Sequence, residues 1–174
     1  MVSSAFKMKE AKGFAVDIQN NLYPIEIDKS AMGNIVCLRA LLNNQEVGKF
    51  NFSPFKIDGK DGFRLGLLKS HLSGQGVARA LVKEFVSLVG KEIPVSAVIT
   101  NKETREFLKS IDENSGRKKV EIVEMTDFEQ LKQLPIVRVF FSGGIKAEKV
   151  TVCYCPLEID NDSIVAIDFL GITH

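Results

Sequence analysis

The chain has 174 residues, of which 45% are hydrophobic and 26% are charged, as is ordinary for a globular protein of one domain. Its 23 Lys and Arg residues nearly balance 22 Asp and Glu residues, and the net charge of +1 excludes a chain-wide basic field for nucleic acid or anionic membranes. No uninterrupted apolar run exceeds four residues, so no membrane-spanning helix is predicted. Three cysteines, an odd number in a chain that can bury a core, favour free thiols and a cytoplasmic location.

The first stretch, residues 1–13, is polar and irregular, and we expect an N-terminal arm there, either a short helix or a loose segment. It carries Lys7, Lys9, Glu10 and Lys12 without a following apolar stretch, which is not the pattern of a secretory signal. Both features agree with the cytoplasmic expectation.

Between Phe14 and Leu68 the chain has the alternation and composition of β-strands. The stretches with this character are Tyr23–Ile27, Asn34–Leu42, Val47–Phe55 and Gly62–Leu68. Short turns rich in Asn, Asp and Gly separate the last three, which predicts an antiparallel meander.

Helical spacing begins at Val77, where apolar residues recur on one face until Val89, and Gly90 is placed to end the helix. The run Pro94–Thr100 is almost continuously apolar and predicts a strand buried on both faces. Asn101 is a candidate N-cap for a helix over Lys102–Ile111. Strands followed by this alternation predict a mixed sheet in an α/β or α+β domain.

The last third of the chain is predicted to be rich in strands, but its position in the sheet is left open. Thr126–Glu129 has the pattern of a capping box, which predicts a short helix ending near Leu134, before Pro135. The predicted strands are Val120–Val123, Ile136–Phe141, Glu148–Cys155 and Ile164–Phe169, with a turn at Ser142-Gly143-Gly144.

The segment Leu65–Arg79 combines a strand, a loop with two glycines and the start of a helix. The first turn of a helix has amide N–H groups without helical partners and a partial positive charge, and glycines allow close approach of a ligand. This combination favours a phosphate or pyrophosphate site, to which Arg79 could add a charged contact. A tightly packed loop that binds nothing is the alternative.

Residues 73–78 read Ser-Gly-Gln-Gly-Val-Ala and resemble the signature Gln/Arg-x-x-Gly-x-Gly/Ala of the GNAT superfamily of N-acetyltransferases. The following helix, strand, Asn101 and helix also resemble the order of that family. The resemblance covers about Asn34 to Ile111 and departs from the signature at Ser73. It implies an acyl-CoA N-acyltransferase-like fold, a mixed and mostly antiparallel sheet with flanking helices.

By this resemblance, residues 14–111 form the GNAT-like core and residues 112–174 a β-rich C-terminal part of the same domain. The co-substrate would be acetyl-CoA, with no metal, and the acceptor an unidentified amine. Leu67, Leu68 and Lys69 would present backbone groups to the pantetheine arm. The full set implied for cofactor binding is Leu67, Leu68, Lys69, Ser73, Gly74, Gln75, Gly76, Val77, Ala78, Arg79 and Asn101.

The chain departs from the family pattern at two further points, and these leave a second function open. Leu108 stands where many family members carry a Tyr that protonates the leaving thiolate, and the two helices usual between the first and second strands are not visible between Ile27 and Asn34. The chain is therefore either an acetyltransferase that works by direct attack in a ternary complex, or a catalytically inactive binding module of the same fold. Neither a membrane nor a nucleic acid is indicated as a partner, and the oligomeric state is open.

His71 is the candidate general base, since its natural pKa suits that role and it lies just beyond the fourth family strand; a solvated loop histidine is the alternative.

Cys153 and Cys155 share one face of a predicted strand. A zinc ion would need two more ligands, and the whole chain has two histidines, so we favour two buried cysteines over a zinc site. Tyr154 could replace the missing acid. The basic run Arg117–Lys119 fits a solvated loop or a contact to an anion, and the terminal His174 is predicted to be disordered.

Overall fold

The computed structural model describes residues 11–16, 22–72, 76–99, 121–156 and 163–174. Its strands are β1 (Ala11–Val16), β2 (Leu22–Met32), β3 (Ile35–Leu42), β4 (Gln45–Ile57), β5 (Lys60–Ser70), β6 (Pro94–Ile99), β7 (Glu121–Met125), β8 (Ile145–Pro156) and β9 (Ser163–Thr173). Its helices are α1 (Val77–Val89), α2 (Phe128–Leu131) and α3 (Pro135–Gly143). Within the described ranges, none of these helices has the length and apolar character needed to cross a membrane.

The nine strands in the described part of the chain form one sheet in the order β1-β2-β3-β4-β5-β6-β9-β8-β7. Strands β1 to β5 are an antiparallel meander, and β5 and β6 form a parallel pair connected through α1. The remaining neighbours are antiparallel, with β9 between β6 and β8. The predicted fold class, a mixed and mostly antiparallel sheet with helices packed on it, is confirmed. The C-terminal strands β9, β8 and β7 extend the same sheet beyond β6.

Tight turns join the strands of the meander, and β2, β4 and β5 are longer than the sequence pattern predicts. The β3–β4 turn is Asn43-Asn44, with φ angles of 52° and 64°, and the β4–β5 turn is Asp58-Gly59, with φ angles of 50° and 78°. Two-residue turns with positive φ match the twist of the strands they join. The β2–β3 turn at residues 33–34 is equally short, so the two family helices have no place there.

Helices α1 and α3 pack against each other on one face of the sheet, which we call the inner face. A Cβ placed at Gly143 of α3 would collide with the side chain of Val82 of α1, so the two helices are in close contact. Phe85 of α1 packs edge-on against Phe50 and Phe52, with ring centroids 5.6 and 4.7 Å away. Side chains alternate along a strand, so the neighbours of these residues on β4 lie on the opposite, outer face.

Several predicted elements in the first and last thirds of the chain differ from the structure. Residues 11–16, within or just after the predicted arm, form a strand that pairs with β2. Ile136–Phe141 was predicted as a strand, and this is wrong: the segment lies in α3, which starts with Pro135 in its first turn and buries Val137 and Phe140 at helical spacing. Gly144, with φ 106°, caps that helix and does not form a strand turn.

Three smaller expectations also change. The N-cap of α2 is Asp127, whose carboxylate accepts the N–H of Glu129 at 3.1 Å, and not Thr126. Strand β6 buries only alternate residues and leaves Val98 48% exposed, so it is not covered on both faces. The backbone of His174 is held by a 2.8 Å hydrogen bond from its N–H to the carbonyl of Gly144.

Candidate functional site

Strands β5 and β6 pair at their beginnings and then separate. The parallel register joins Phe63 to Val95 and ends at the pair Leu65 and Ala97, while β5 continues to Ser70 and β6 to Ile99. At the paired end the strands are in close contact, because a Cβ at Gly62 would collide with the carbonyl of Pro94. A gap between two strands of the sheet therefore opens from Leu65 onward.

An irregularity in the pairing of β4 with β5 lies beside this gap. Phe52 stands opposite Leu65, but Phe50 stands opposite Leu68, so two residues of β5 face the single residue Asn51. This is a β-bulge, and bulges bend the strand that contains them and increase its twist. We attribute the divergence of β5 from β6 to this bend.

The register also fixes which backbone groups of β5 face the gap. The N–H of His71 donates to the carbonyl of Val47, at 2.8 Å, directly across from it. Opposite pairs in an antiparallel ladder alternate between hydrogen-bonded and non-hydrogen-bonded, so the Lys49–Lys69 pair is of the first kind and the pair containing Leu68 is of the second. The N–H and carbonyl of Leu68 therefore point away from β4, toward the side where β6 has left the sheet.

The N-terminus of α1 lies close to the end of β5. Its N-cap is Gly76, with φ 74° and without a side-chain hydrogen bond, and its first turn contains no acidic residue. The carbonyl of Gly76 accepts the N–H of Ala80 at 3.0 Å, while the earlier amides of the turn have no helical carbonyl to pair with. These amides and the helix dipole favour an anion here.

Gly48 explains how α1 approaches the sheet so closely. It stands opposite Ser70, and a Cβ at this position would lie 2.7 Å from Cγ1 of Val77 and 2.9 Å from the carbonyl oxygen of Lys69. A larger residue would push the first turn of the helix away. Because position 48 is glycine, the N-terminus of α1 can lie next to the gap, and the two form one site.

His71 follows β5 directly. The hydroxyl of Ser70 accepts the N–H of Leu72 at 3.3 Å and donates to the carbonyl of the same residue at 3.0 Å, which stabilises this turn. Nε2 of His71 lies 3.9 Å from Oε2 of Glu46, and both side chains are partly exposed. The imidazole is thus open to a ligand and has a carboxylate nearby.

The structure places several of the predicted site residues around the gap. Leu67 and Leu68 lie in and beside the bulge, Lys69 follows them, His71 lies just beyond, and Gly76, Val77, Ala78 and Arg79 form the start of α1. Other residues that the sequence analysis considered lie outside the described part of the chain: Ser73, Gly74, Gln75, Asn101, Leu108 and Arg117–Lys119, together with the side chains of Cys153, Tyr154 and Cys155. Among the described residues, no group of three His, Cys, Asp or Glu is arranged to hold a metal ion.

Sequence reasoning missed Glu46, Lys49 and Asn51, which β4 brings to the same site. Their pattern on β4 is that of an ordinary strand with one buried face. The sequence did contain one indirect signal, since Gly66 interrupts an apolar strand, and a glycine in a strand often marks a bulge.

No protein-family profile and no curated protein sequence matches the chain. Similar solved structures include one described as belonging to the GNAT family of acetyltransferases, from Desulfovibrio desulfuricans, at 15% identity and a TM-score of 0.40 over 79% of this chain and 68% of that one. Another is the aminoglycoside 6'-N-acetyltransferase from Enterococcus faecium, at 15% identity and a TM-score of 0.38 over 81% of this chain and 76% of that one.

Proposed function

We propose that this protein transfers an acetyl group from acetyl-CoA to an amine. The observation that carries the proposal is the gap between β5 and β6, which opens beyond Leu65 and Ala97 next to the N-terminus of α1, where the N-cap Gly76 makes no side-chain hydrogen bond. An extended, amide-containing arm can pair with a free strand edge, and a diphosphate can bind at a helix N-terminus. CoA combines these two chemical features in one molecule.

In this proposal the backbone amides from Gly76 to Arg79 bind the diphosphate, and the preceding loop residues Ser73 to Gln75 contribute to the same site. The pantetheine arm lies along Leu67, Leu68 and Lys69, and the gap-facing carbonyl of Leu68 is a pairing group for it. Arg79 is exposed and supplies a positive charge at the same end of the helix. Asn101, which follows β6, is assigned to the thioester end of the arm by resemblance alone.

The reaction is a direct attack in a ternary complex. The nitrogen of the acceptor amine bonds to the thioester carbonyl carbon, and the N–H of Leu68 stabilises the negative charge that develops on the carbonyl oxygen. The C–S bond then breaks, which gives the amide and the CoA thiolate. His71 accepts a proton from the amine, and a proton from solvent completes the CoA thiol.

Acetyl-CoA binding tests the cofactor site. Gly76→Ala places a Cβ at a residue with φ 74°, in open space at the helix N-terminus, while Gly59→Ala does the same at φ 78° in the β4–β5 turn. The two variants carry the same backbone strain, but only Gly76 lies at the proposed site. We expect isothermal titration to show at least tenfold weaker acetyl-CoA binding for Gly76→Ala and unchanged binding for Gly59→Ala. Ala78→Asp, which repels phosphate without a positive φ, should weaken binding as well.

Release of CoA thiol over a panel of amines tests the reaction. Binding of acetyl-CoA without thiol release would favour the inactive binding module, and absence of binding at submillimolar acetyl-CoA would exclude the transferase. For His71→Ala we expect a fall in kcat of about 100-fold, within the range of a lost general base, with acetyl-CoA affinity retained. An unchanged pH–rate profile in that variant would remove His71 from the mechanism.

A further inference from the structure

Four charged residues stand side by side across the outer face of the sheet. The register places Asp28 opposite Arg39, Arg39 opposite Lys49, and Lys49 opposite Lys69, one residue from each of the strands β2 to β5. We call Arg39, Lys49 and Lys69 the cation row. These three positively charged side chains lie on adjacent strands, and the single carboxylate of Asp28 lies at one end of the row.

This row is electrostatically unfavourable in the protein alone. Like charges directly opposite each other in a sheet are destabilising. Among the described residues, Asp28 forms its one ion pair with Arg39, at 3.4 Å, and its side chain is 11% exposed. Among the described residues, none forms an ion pair or hydrogen bond with the ammonium group of Lys49 or Lys69. The nearest acidic row is Glu26 and Glu46, which stand opposite Leu41, and Glu46 lies beside His71.

The cation row lies beside the reaction site, on the face away from α1. Lys69 follows Leu68, whose N–H faces the gap, and Lys49 is two residues from the bulge position Asn51, about 7 Å along the strand. The helix N-terminus proposed for the diphosphate is on the inner face, because Val77 packs on Gly48 there. A molecule that reaches the thioester from the outer face therefore passes the cation row.

We propose that the acceptor is a small amine that carries an anionic group, a carboxylate or a phosphate, and that Lys49 and Lys69 bind this group. The inference rests on the proposed function and adds the class of acceptor. The anion compensates the two unpaired ammonium groups, and His71 and Glu46, in the adjacent row, lie where the amine loses its proton. Contacts between oppositely charged groups are the strongest hydrogen bonds available at such an exposed position.

Binding without the cofactor tests the cation row independently of catalysis. Amide NMR shifts would be followed during titration with β-alanine, and with propylamine, which has a similar chain without the carboxylate. We expect β-alanine to shift amides at Lys49 and Lys69, an effect lost in the double variant K49Q/K69Q and kept in Lys83→Gln. Lys83 is exposed on α1, across the sheet from the row, so this control removes one charge elsewhere. Equal shifts with β-alanine and propylamine would overturn the proposal.

Turnover then separates this inference from the proposed function. With wild-type protein we expect thiol release with β-alanine or phosphoethanolamine to have a kcat/KM at least tenfold above that with propylamine or ethanolamine. The double variant should lose this preference through KM, with an unchanged or higher Tm, since the repulsion between the two ammonium groups is removed. Acetylation of neutral and anionic amines at equal rates would overturn the acceptor class and leave the transferase function standing. Absence of acetyl-CoA binding would overturn the transferase function and, with it, the role of the row in binding an acceptor.

Discussion

Thr173, on β9, is a fully buried polar residue that connects three parts of the molecule. Its hydroxyl donates to the carbonyl of Gly90 at 2.6 Å and accepts the N–H of Ile93 at 3.0 Å. Its backbone N–H also donates to the carbonyl of Ile93, at 3.0 Å. The end of α1 and the start of β6 are thus held to β9 through one side chain.

We expect Thr173→Val to lower the free energy of unfolding by about 2 kcal/mol, because the substitution keeps the shape but removes the hydroxyl that partners the partly buried N–H of Ile93 and carbonyl of Gly90. Urea denaturation measures this change. Thr151→Val on β8 is the matched control, since the hydroxyl of Thr151 makes no side-chain hydrogen bond within the described part of the chain, and a loss below 0.5 kcal/mol is expected there. Equal losses in the two variants would contradict the role given to Thr173.

Cys37 lies on β3, two residues before Arg39, and the charges of the cation row affect the pKa of its thiol. Burial raises the pKa of its thiol, while the nearby charges of Lys49 and Arg39 lower it. Removal of Lys49 takes away an interaction that favours the thiolate, so Lys49→Gln should raise the pKa of Cys37 further. We expect slower iodoacetamide alkylation of Cys37 at pH 8.5 in this variant, followed by mass spectrometry of the Cys37 peptide. Faster alkylation would place Lys49 away from the thiol.

At the scale of elements, the contact between α1 and α3 decides where α1 lies on the sheet. A Cβ at Gly143 would collide with the side chain of Val82, so Gly143→Ala should destabilise the protein by about 2 kcal/mol. Val82→Ala opens space at the same contact. We therefore expect the double variant to lose at least 1 kcal/mol less than the sum of the two single losses, measured by urea denaturation. Simple additivity would mean that the helices move apart freely.

The elements also show how far the sequence predicts this fold. The bounds of α1 and its end at Gly90 follow from spacing and from the glycine, and the structure confirms them. The segment Ile136–Phe141 could not be assigned by composition, because its β-branched and aromatic residues favour a strand. Packing of Val137 and Phe140 against the core overrides that preference, after Pro135 starts the helix.

Prediction of the site reaches a similar limit. The glycine loop and the start of α1 are contiguous in sequence, so their juxtaposition could be predicted from a local motif. The cation row comes from three strands, and its formation depends on the register set by two-residue turns and by the bulge at Asn51. No local pattern contains that register, so Lys49 and Glu46 were not found.

For the whole molecule, the proposed cofactor connects the helix N-terminus to the gap, two parts that separate on unfolding. A ligand that binds only the folded state stabilises it by about 2.7 kcal/mol at 100 times its Kd. For a domain of this size, that corresponds to a rise in Tm of about 5–10 °C. We expect this rise with acetyl-CoA by differential scanning calorimetry, and a much smaller one for Gly76→Ala. An equal rise in both proteins would place the ligand elsewhere.

The position of β9 between β6 and β8 also affects synthesis on the ribosome. Of the nine described strands, β9 is the last to be translated, yet it occupies an interior place in the sheet. A nascent chain that has emerged as far as residue 156 contains β1 to β6 but lacks β9, the partner of the far edge of β6. Such an edge can recruit a strand from another chain. Translation pauses before residue 163 should therefore increase the dependence of this protein on chaperones.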